Sequence, residues 1–286
     1  MMGAHTPANL RVIRDHAWIE REYNREKYPL VLKAAREALA AGEHELARVV
    51  ARVISAERGA LSLPMRRDIA VDGVPVDLPL AFASAGVSGY VTHALSEMCT
   101  PETGAVIELG AGWGRNLFNL YLSGALPLNA TLYALEYAQS ARETAALVAS
   151  VAPGLAFAAS AFDYHVPDYS MIAPTATPAV LVTVHSIEQI PQLKPDVFLK
   201  LIERRPNLSA LHFEPVGWQL PARHLNHRAP CSSREYAEIH DYNRNFWNVL
   251  GELERSNVIE ILDVSGDTIG MNPKNPSTLI RWRTKR

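Results

Sequence analysis

From about residue 105 onward, short and nearly continuous apolar runs alternate with stretches of helical spacing. The runs are Ala105 to Leu109, Ala130 to Leu135, Leu155 to Ala159, Ala179 to Val184 and Leu208 to Phe213. Their length predicts strands, and the continuity of runs such as Ala179 to Val184 predicts strands buried on both faces. Between them Asn116, Leu117, Leu120 and Tyr121, then Gln139 to Val151, then Val197 to Ile202, predict connecting helices. Ser233 to Leu253 reads as one long helix with Ser233 as its N-cap, and Val258 to Val264 and Ser277 to Trp282 read as two closing strands. Strands alternating with helices in this order predict an α/β fold, doubly wound around a mostly parallel sheet.

The first hundred residues have a different texture. Leu30, Ala34 and Leu39, then Leu46, Val49, Val50, Val53 and Ile54, have helical spacing and predict two helices broken near Gly42. Three prolines between Leu63 and Leu80 predict a loop, with a small hairpin turning at Asp72-Gly73. Ser84 to Gly89 reads as a flexible connection leading into a helix from Tyr90 to Met98. The division expected is a helical cap or substrate-recognition region over residues 1–100, and a ligand-binding domain over residues 101–286.

Chemistry concentrates where the first apolar run ends. Gly110, Gly112 and Gly114 form a turn between strand and helix, which brings backbone N–H groups and a helix N-terminus to a nucleotide-like ligand. Gly114 arrives one position early for a dinucleotide fingerprint, and Arg115 stands where that glycine would be. Glu108 puts a carboxylate beside the turn, which suits a cationic ligand better than a pyrophosphate. Glu136 ends the next run, where its two oxygens can accept a pair of ribose hydroxyls.

The string Glu108-x-Gly110-x-Gly112-x-Gly114 resembles motif I of the class I methyltransferases that use S-adenosylmethionine (SAM). The resemblance spans about residues 90–286 and implies a seven-stranded sheet, SAM as cofactor and S-adenosylhomocysteine as product. It implies cofactor contacts at Tyr90, Glu108, Gly110, Gly112, Gly114 and Glu136, with His93 a further candidate at the methionyl end. Phe162 and Asp163 would meet the adenine, with Asp168 the alternative acid. His185-Ser186-Ile187-Glu188-Gln189-Ile190-Pro191 resembles the H-x-L-E-H-I-P segment of small-molecule methyltransferases, with Gln189 in place of the second histidine. His185 would then face the methyl group or the acceptor, and His185 and His240 are the candidate proton acceptors. Glu188, Glu214, His224, His227, Tyr242 and Asn243 complete the expected acceptor contacts; several sit on the polar, aromatic stretch of the long helix or in the irregular insertion around Trp218.

Composition narrows this reading. Of 286 residues, 48% are hydrophobic and 20% charged, which is ordinary for a globular chain, and a net charge of -2 gives no field for a nucleic acid. No apolar run is long enough to span a membrane and no signal peptide opens the chain, so a cytoplasmic protein is expected. Cys99 and Cys231 make neither a disulfide framework nor a zinc cluster, and no metal is expected. The strand before His185 lacks the [DN]-P-P-[YFW] ending of nucleic-acid amino methyltransferases. The expected partner is a small-molecule or peptide acceptor, with the N-terminal helices also open to a homodimer contact. The expected reaction is O-methylation of a sugar-like or natural-product acceptor. The alternatives are N-methylation of a peptide or amine, a noncatalytic SAM-binding protein and a nucleotide-dependent oxidoreductase.

Overall fold

A computed structural model describes residues 12–60, 65–224 and 233–285. Among the described residues nine strands form one sheet in the order β2-β1-β8-β9-β7-β6-β3-β4-β5. The five central and far-edge strands are β3 (Ala105–Leu109), β4 (Thr131–Glu136), β5 (Phe157–Ala161), β6 (Ala179–Val184) and β7 (Leu208–Glu214). All four pairings among them are parallel, as the unbroken apolar runs predict. β8 (Ile259–Gly270) and β9 (Ser277–Thr284) close that array with antiparallel pairings.

Among the described residues the sheet has nine strands and not the expected seven. β1 (Arg66–Val71) and β2 (Val74–Pro79) form the hairpin expected at Asp72-Gly73, whose φ values of 48° and 73° suit a tight hairpin turn. β1 then pairs with β8 through Ala70↔Gly270 and Val71↔Ile269, which carries the hairpin into the sheet. A contact so distant in sequence leaves no local periodicity to read.

Both faces of the parallel strands are apolar. Ile107, Leu109, Leu135 and Leu181 pack on one side, and Val106, Leu132, Ala134 and Val182 on the other. The covering helices include α5 (Arg115–Leu122), α6 (Gln139–Ala149), α7 (Asp196–Arg204) and α9 (Phe246–Arg255). Ahead of the sheet stand α1 (His16–Ile19), a π-helical stretch Glu20–Lys27, α2 (Tyr28–Ala40) and α3 (Leu46–Ala60). The break between α2 and α3 falls at Gly42, whose φ is +80°.

Two helix predictions are corrected. Ser84 to Gly89 is helical and belongs to α4 (Leu80–Met98), because packing on α5 and the sheet overrides the low propensity of glycine and serine. The single helix over Ser233 to Leu253 is two, α8 (Ser233–Ile239) and α9. Asp241 takes a left-handed φ of 52°, and Asn243 Oδ1 accepts from the backbone N–H groups of Asn245 at 2.9 Å and Phe246 at 2.7 Å. Those two bonds turn the chain and start α9.

Candidate functional site

Strand order reverses between β3 and β6, and doubly wound sheets bind ligands beyond the carboxyl ends of the strands at that point. A cavity of ≈ 580 Å³ lies there, walled by the ends of β3, β4, β5 and β6 and covered by the N-terminal helices and α4.

Gly110, Gly112 and Gly114 have φ of 66°, 54° and 81°, a region in which other residues are strained. Space is the second constraint. A Cβ on Gly110 would stand 2.4 Å from Ser186 Cβ, and one on Gly112 would stand 2.5 Å from the Tyr28 hydroxyl. Gly110 and Gly112 face the cavity, whereas Gly114 packs on Phe118 as the residue before α5.

Glu108 is 1% exposed, and its Oε1 accepts from Asn116 Nδ2 at 2.6 Å, while Oε2 is buried with no partner among the described residues. Burial pushes its carboxyl up to about 8 against the opposing effect of the Asn116 bond. Folding therefore tightens its hold on the proton, and stability is lost as pH rises from about 4 towards about 8. Glu108→Gln is expected to raise the urea midpoint of the ligand-free protein near pH 8.5 and to change it little near pH 5. An equal change at both would remove the titration of Glu108 as the cause.

Glu136 ends β4 with Oε2 accepting from Gly112 N–H and Oε1 from Ala138 N–H, each at 2.8 Å. Its carboxylate thus faces the cavity and also ties down the glycine loop. Burial raises its pKa, opposed by those two bonds and by Lys27 and Arg142. Phe162 and Asp163 follow β5 and line the same cavity; Phe162 lies edge-on to Tyr164 at 4.9 Å. Asp168 lies outside it and receives Ser170 N–H at 2.8 Å.

His185 reaches the cavity with a left-handed φ of 50°. Its Nδ1 is 3.1 Å from Glu188 Oε2, and its Nε2 is 2.8 Å from Ser277 Oγ. Glu188 also accepts from the Gln189 and Asn275 amides, so the carboxylate is the acceptor and Nδ1 carries the proton. Burial lowers the pKa of His185, but Glu188 and then Glu214 raise it by more, for a net upward shift. Beneath this turn Glu214, fully buried, accepts Ser186 N–H at 3.1 Å and Glu188 N–H at 3.2 Å. Burial and then the charge of Glu188 push the Glu214 carboxyl up to about 7. Glu188 and Glu214 therefore hold the His185 turn from behind and do not line the cavity.

Other expected contacts stand apart from it. Val87, Ser88 and Val91 present the cavity face of α4, which leaves Tyr90 edge-on to Phe213 at 5.9 Å, and His93 pairs with Glu97 on the surface. His240 and Tyr242 serve the N-terminal segment: Arg14 stacks between Trp18 at 4.1 Å and Tyr242 at 4.6 Å, and its Nε donates to His240 O at 2.7 Å. Asn243 spends its side chain on Ile190 O and on the start of α9. His224 packs on Trp247 at 5.6 Å, and His227 lies outside the described residues.

The structure adds residues that no local pattern marks. The wide turn of the π-helical stretch brings Tyr23, Lys27 and then Tyr28 to the cavity together, with the two tyrosine rings stacked at 5.8 Å. Arg58 of α3, Arg67 of β1, and Ser84 and Ser88 of α4 join them. Arg115, which stands in the sequence where a dinucleotide fingerprint has glycine, also lines the cavity. At the rim His16, Asp163 and His165 bring donor atoms within 4.8 Å of one another, a grouping that could hold a metal ion. Among the described residues no helix is long and apolar enough to cross a membrane.

No protein-family model matches the chain, and no curated protein matches it in sequence. Solved structures do resemble it at low identity. A SAM-dependent methyltransferase from Aquifex aeolicus is 14% identical with a TM-score of 0.40, covering 68% of this chain and 88% of its own. The O-methyltransferase TomG from Streptomyces achromogenes, involved in tomaymycin synthesis, is also 14% identical, with a TM-score of 0.44 over 71% of this chain and 81% of its own. The pyocyanin biosynthetic protein PhzM is 11% identical with a TM-score of 0.47, covering 92% of this chain and 71% of its own.

Proposed function

We propose that this protein is a SAM-dependent methyltransferase acting on a small polar acceptor, with oxygen as the methylated atom. The observation that carries the reading is the pairing, on one cavity, of a glycine cradle that a Cβ would fill with a buried carboxyl oxygen of Glu108 that has no partner among the described residues. Such an oxygen is costly unless a cation meets it, and the amino-acid ammonium of SAM is such a group. Glu136 would take the ribose hydroxyls, and Phe162 and Asp163 the adenine. When bound, SAM supplies a methyl group on a sulfonium, ready for in-line displacement.

The chain contributes alignment and exclusion of water. Tyr23, Lys27 and Tyr28 cover the glycine loop from the N-terminal side, and Arg14 pins that segment to His240 O and Gln189. His185 offers no free ring nitrogen: Glu188 holds Nδ1–H, and the Ser277 hydroxyl occupies Nε2. An acceptor that is already ionised, such as a carboxylate, needs no base. An alcohol would need Ser277 to turn away from Nε2 first. The polar, aromatic stretch behind a sugar-like acceptor packs outside the cavity, so that choice of acceptor loses its support.

The test is transfer of isotopically labelled methyl from SAM to panels of carboxylic acids, alcohols and amines, beside calorimetric titration with S-adenosylhomocysteine and NADH. Label on an acid or alcohol supports the reading, and label confined to amines corrects the atom. S-adenosylhomocysteine binding with no transfer to any panel points to a noncatalytic binding protein. NADH bound in its place would overturn the cofactor.

A further inference from the structure

We propose that the acceptor carries a carboxylate or phosphate, and that Arg58 and Arg115, with Ser84 and Ser88, are its binding wall. The inference rests on the SAM reading above for the identity of the other occupant of the cavity.

The wall holds cations that no carboxylate pairs among the described residues. Lys27, Arg58, Arg67 and Arg115 all line the cavity. Glu57 is the carboxylate among them, 3.4 Å from Lys27 Nζ and 3.6 Å from Arg115 Nη1. Among the described residues no carboxylate comes within ion-pair distance of Arg58 or Arg67. Glu108, Glu136 and Asp163 also line the cavity, but they are held by Asn116 and by backbone N–H groups, and none is within ion-pair distance of these four cations. The amino-acid carboxylate of SAM would answer one of the two unpaired arginines and leave the other.

The geometry of the two arginines makes the same point. Both guanidiniums converge on one neutral acceptor, with Arg58 Nη2 at 2.8 Å and Arg115 Nη2 at 3.1 Å from Ser84 Oγ. Arg115 Nη2 also donates to Ser88 Oγ at 2.5 Å, and the Nε of each arginine is buried without a partner among the described residues. Two like charges brought together by a hydroxyl repel, and an oxyanion between them would exchange that repulsion for charge-assisted hydrogen bonds. Guanidinium forks match the paired oxygens of a carboxylate or phosphate, whereas a neutral acceptor offers them no such match.

The full-length protein, saturated with S-adenosylhomocysteine, is titrated with benzoate, phenyl phosphate and the neutral benzamide. One of the two anions is expected to bind about tenfold or more tighter than benzamide, and its identity assigns the acceptor group. Arg58→Gln is expected to remove that preference while its S-adenosylhomocysteine affinity stays within about threefold of wild type. Arg115→Lys, which keeps the charge and loses the fork, serves if Arg58→Gln fails to melt cooperatively. Benzamide binding as well as both anions, or no anion binding up to about 10 mM, would overturn the proposal. So would a loss of S-adenosylhomocysteine affinity in Arg58→Gln with 5′-methylthioadenosine unaffected, since the wall would then serve the cofactor's own carboxylate. If wild type binds neither nucleoside, the SAM reading fails. Anion binding to the protein alone that depends on Arg58 would still uphold the wall, and its absence would overturn both.

Discussion

Gly110→Ala is expected to reduce S-adenosylhomocysteine affinity by about a hundredfold or more and to destabilise the ligand-free protein by about 2–4 kcal/mol. The left-handed φ of 66° is unfavourable for any residue with a Cβ, and the new methyl would meet Ser186 Cβ at 2.4 Å. Ser186 cannot simply withdraw. Its N–H is held by Glu214 Oε1 at 3.1 Å, and its hydroxyl lies 2.9 Å from Leu109 O and 2.7 Å from the Tyr164 hydroxyl. On the other side Gly110 N–H donates to Leu135 O at 2.8 Å, so the turn cannot move without releasing β4. The loop is thus held between two strand ends, and displacement by a methyl group either opens the β3–β6 crevice or closes it on the ligand. Calorimetric titration reads the affinity and urea denaturation the stability. A stable variant that binds as wild type does would show that the ligand does not cross this glycine.

The contrast between Gly110 and Arg58 shows what sequence could and could not reveal. Gly110 is legible because its constraint is local: an apolar run, three glycines at fixed spacing and an acidic residue two positions before them describe one strand, one turn and one helix. The five parallel strands and Glu136 are legible for the same reason, since buried strands read as continuous apolar runs and the second carboxylate ends one of them. Arg58 belongs to a helix whose pattern predicts only that it packs. Its approach to Ser84 depends on how α3 settles against α4, and nothing nearby in sequence encodes that. The entry of β1 into the sheet beside β8 is hidden in the same way. His240, Tyr242 and Asn243 mislead for the opposite reason: polar and aromatic groups on a predicted helix suggested a site wall, but they meet the needs of Arg14, Ile190 and the start of α9.

Glu136→Ala is expected to weaken S-adenosylhomocysteine binding by about one to two orders of magnitude, through two losses that a second variant separates. The first is the direct contact. With one bond accepted at each oxygen, from Gly112 N–H and Ala138 N–H, a carboxylate keeps a lone pair on each for a ribose hydroxyl. The second is the loop, because the bond to Gly112 N–H fixes the turn on which Gly110 and Gly112 approach the ligand. Glu136→Gln keeps one oxygen acceptor and the size of the side chain but removes the charge, so it is expected to lose about three- to tenfold. If Gln binds as weakly as Ala, the charge on Glu136 carries the contact, and if Gln binds as wild type does, the loop bond carries it. A folded Glu136→Ala with unchanged affinity would take the ribose away from the tip of β4 and leave Glu136 as a clasp for the glycine loop alone.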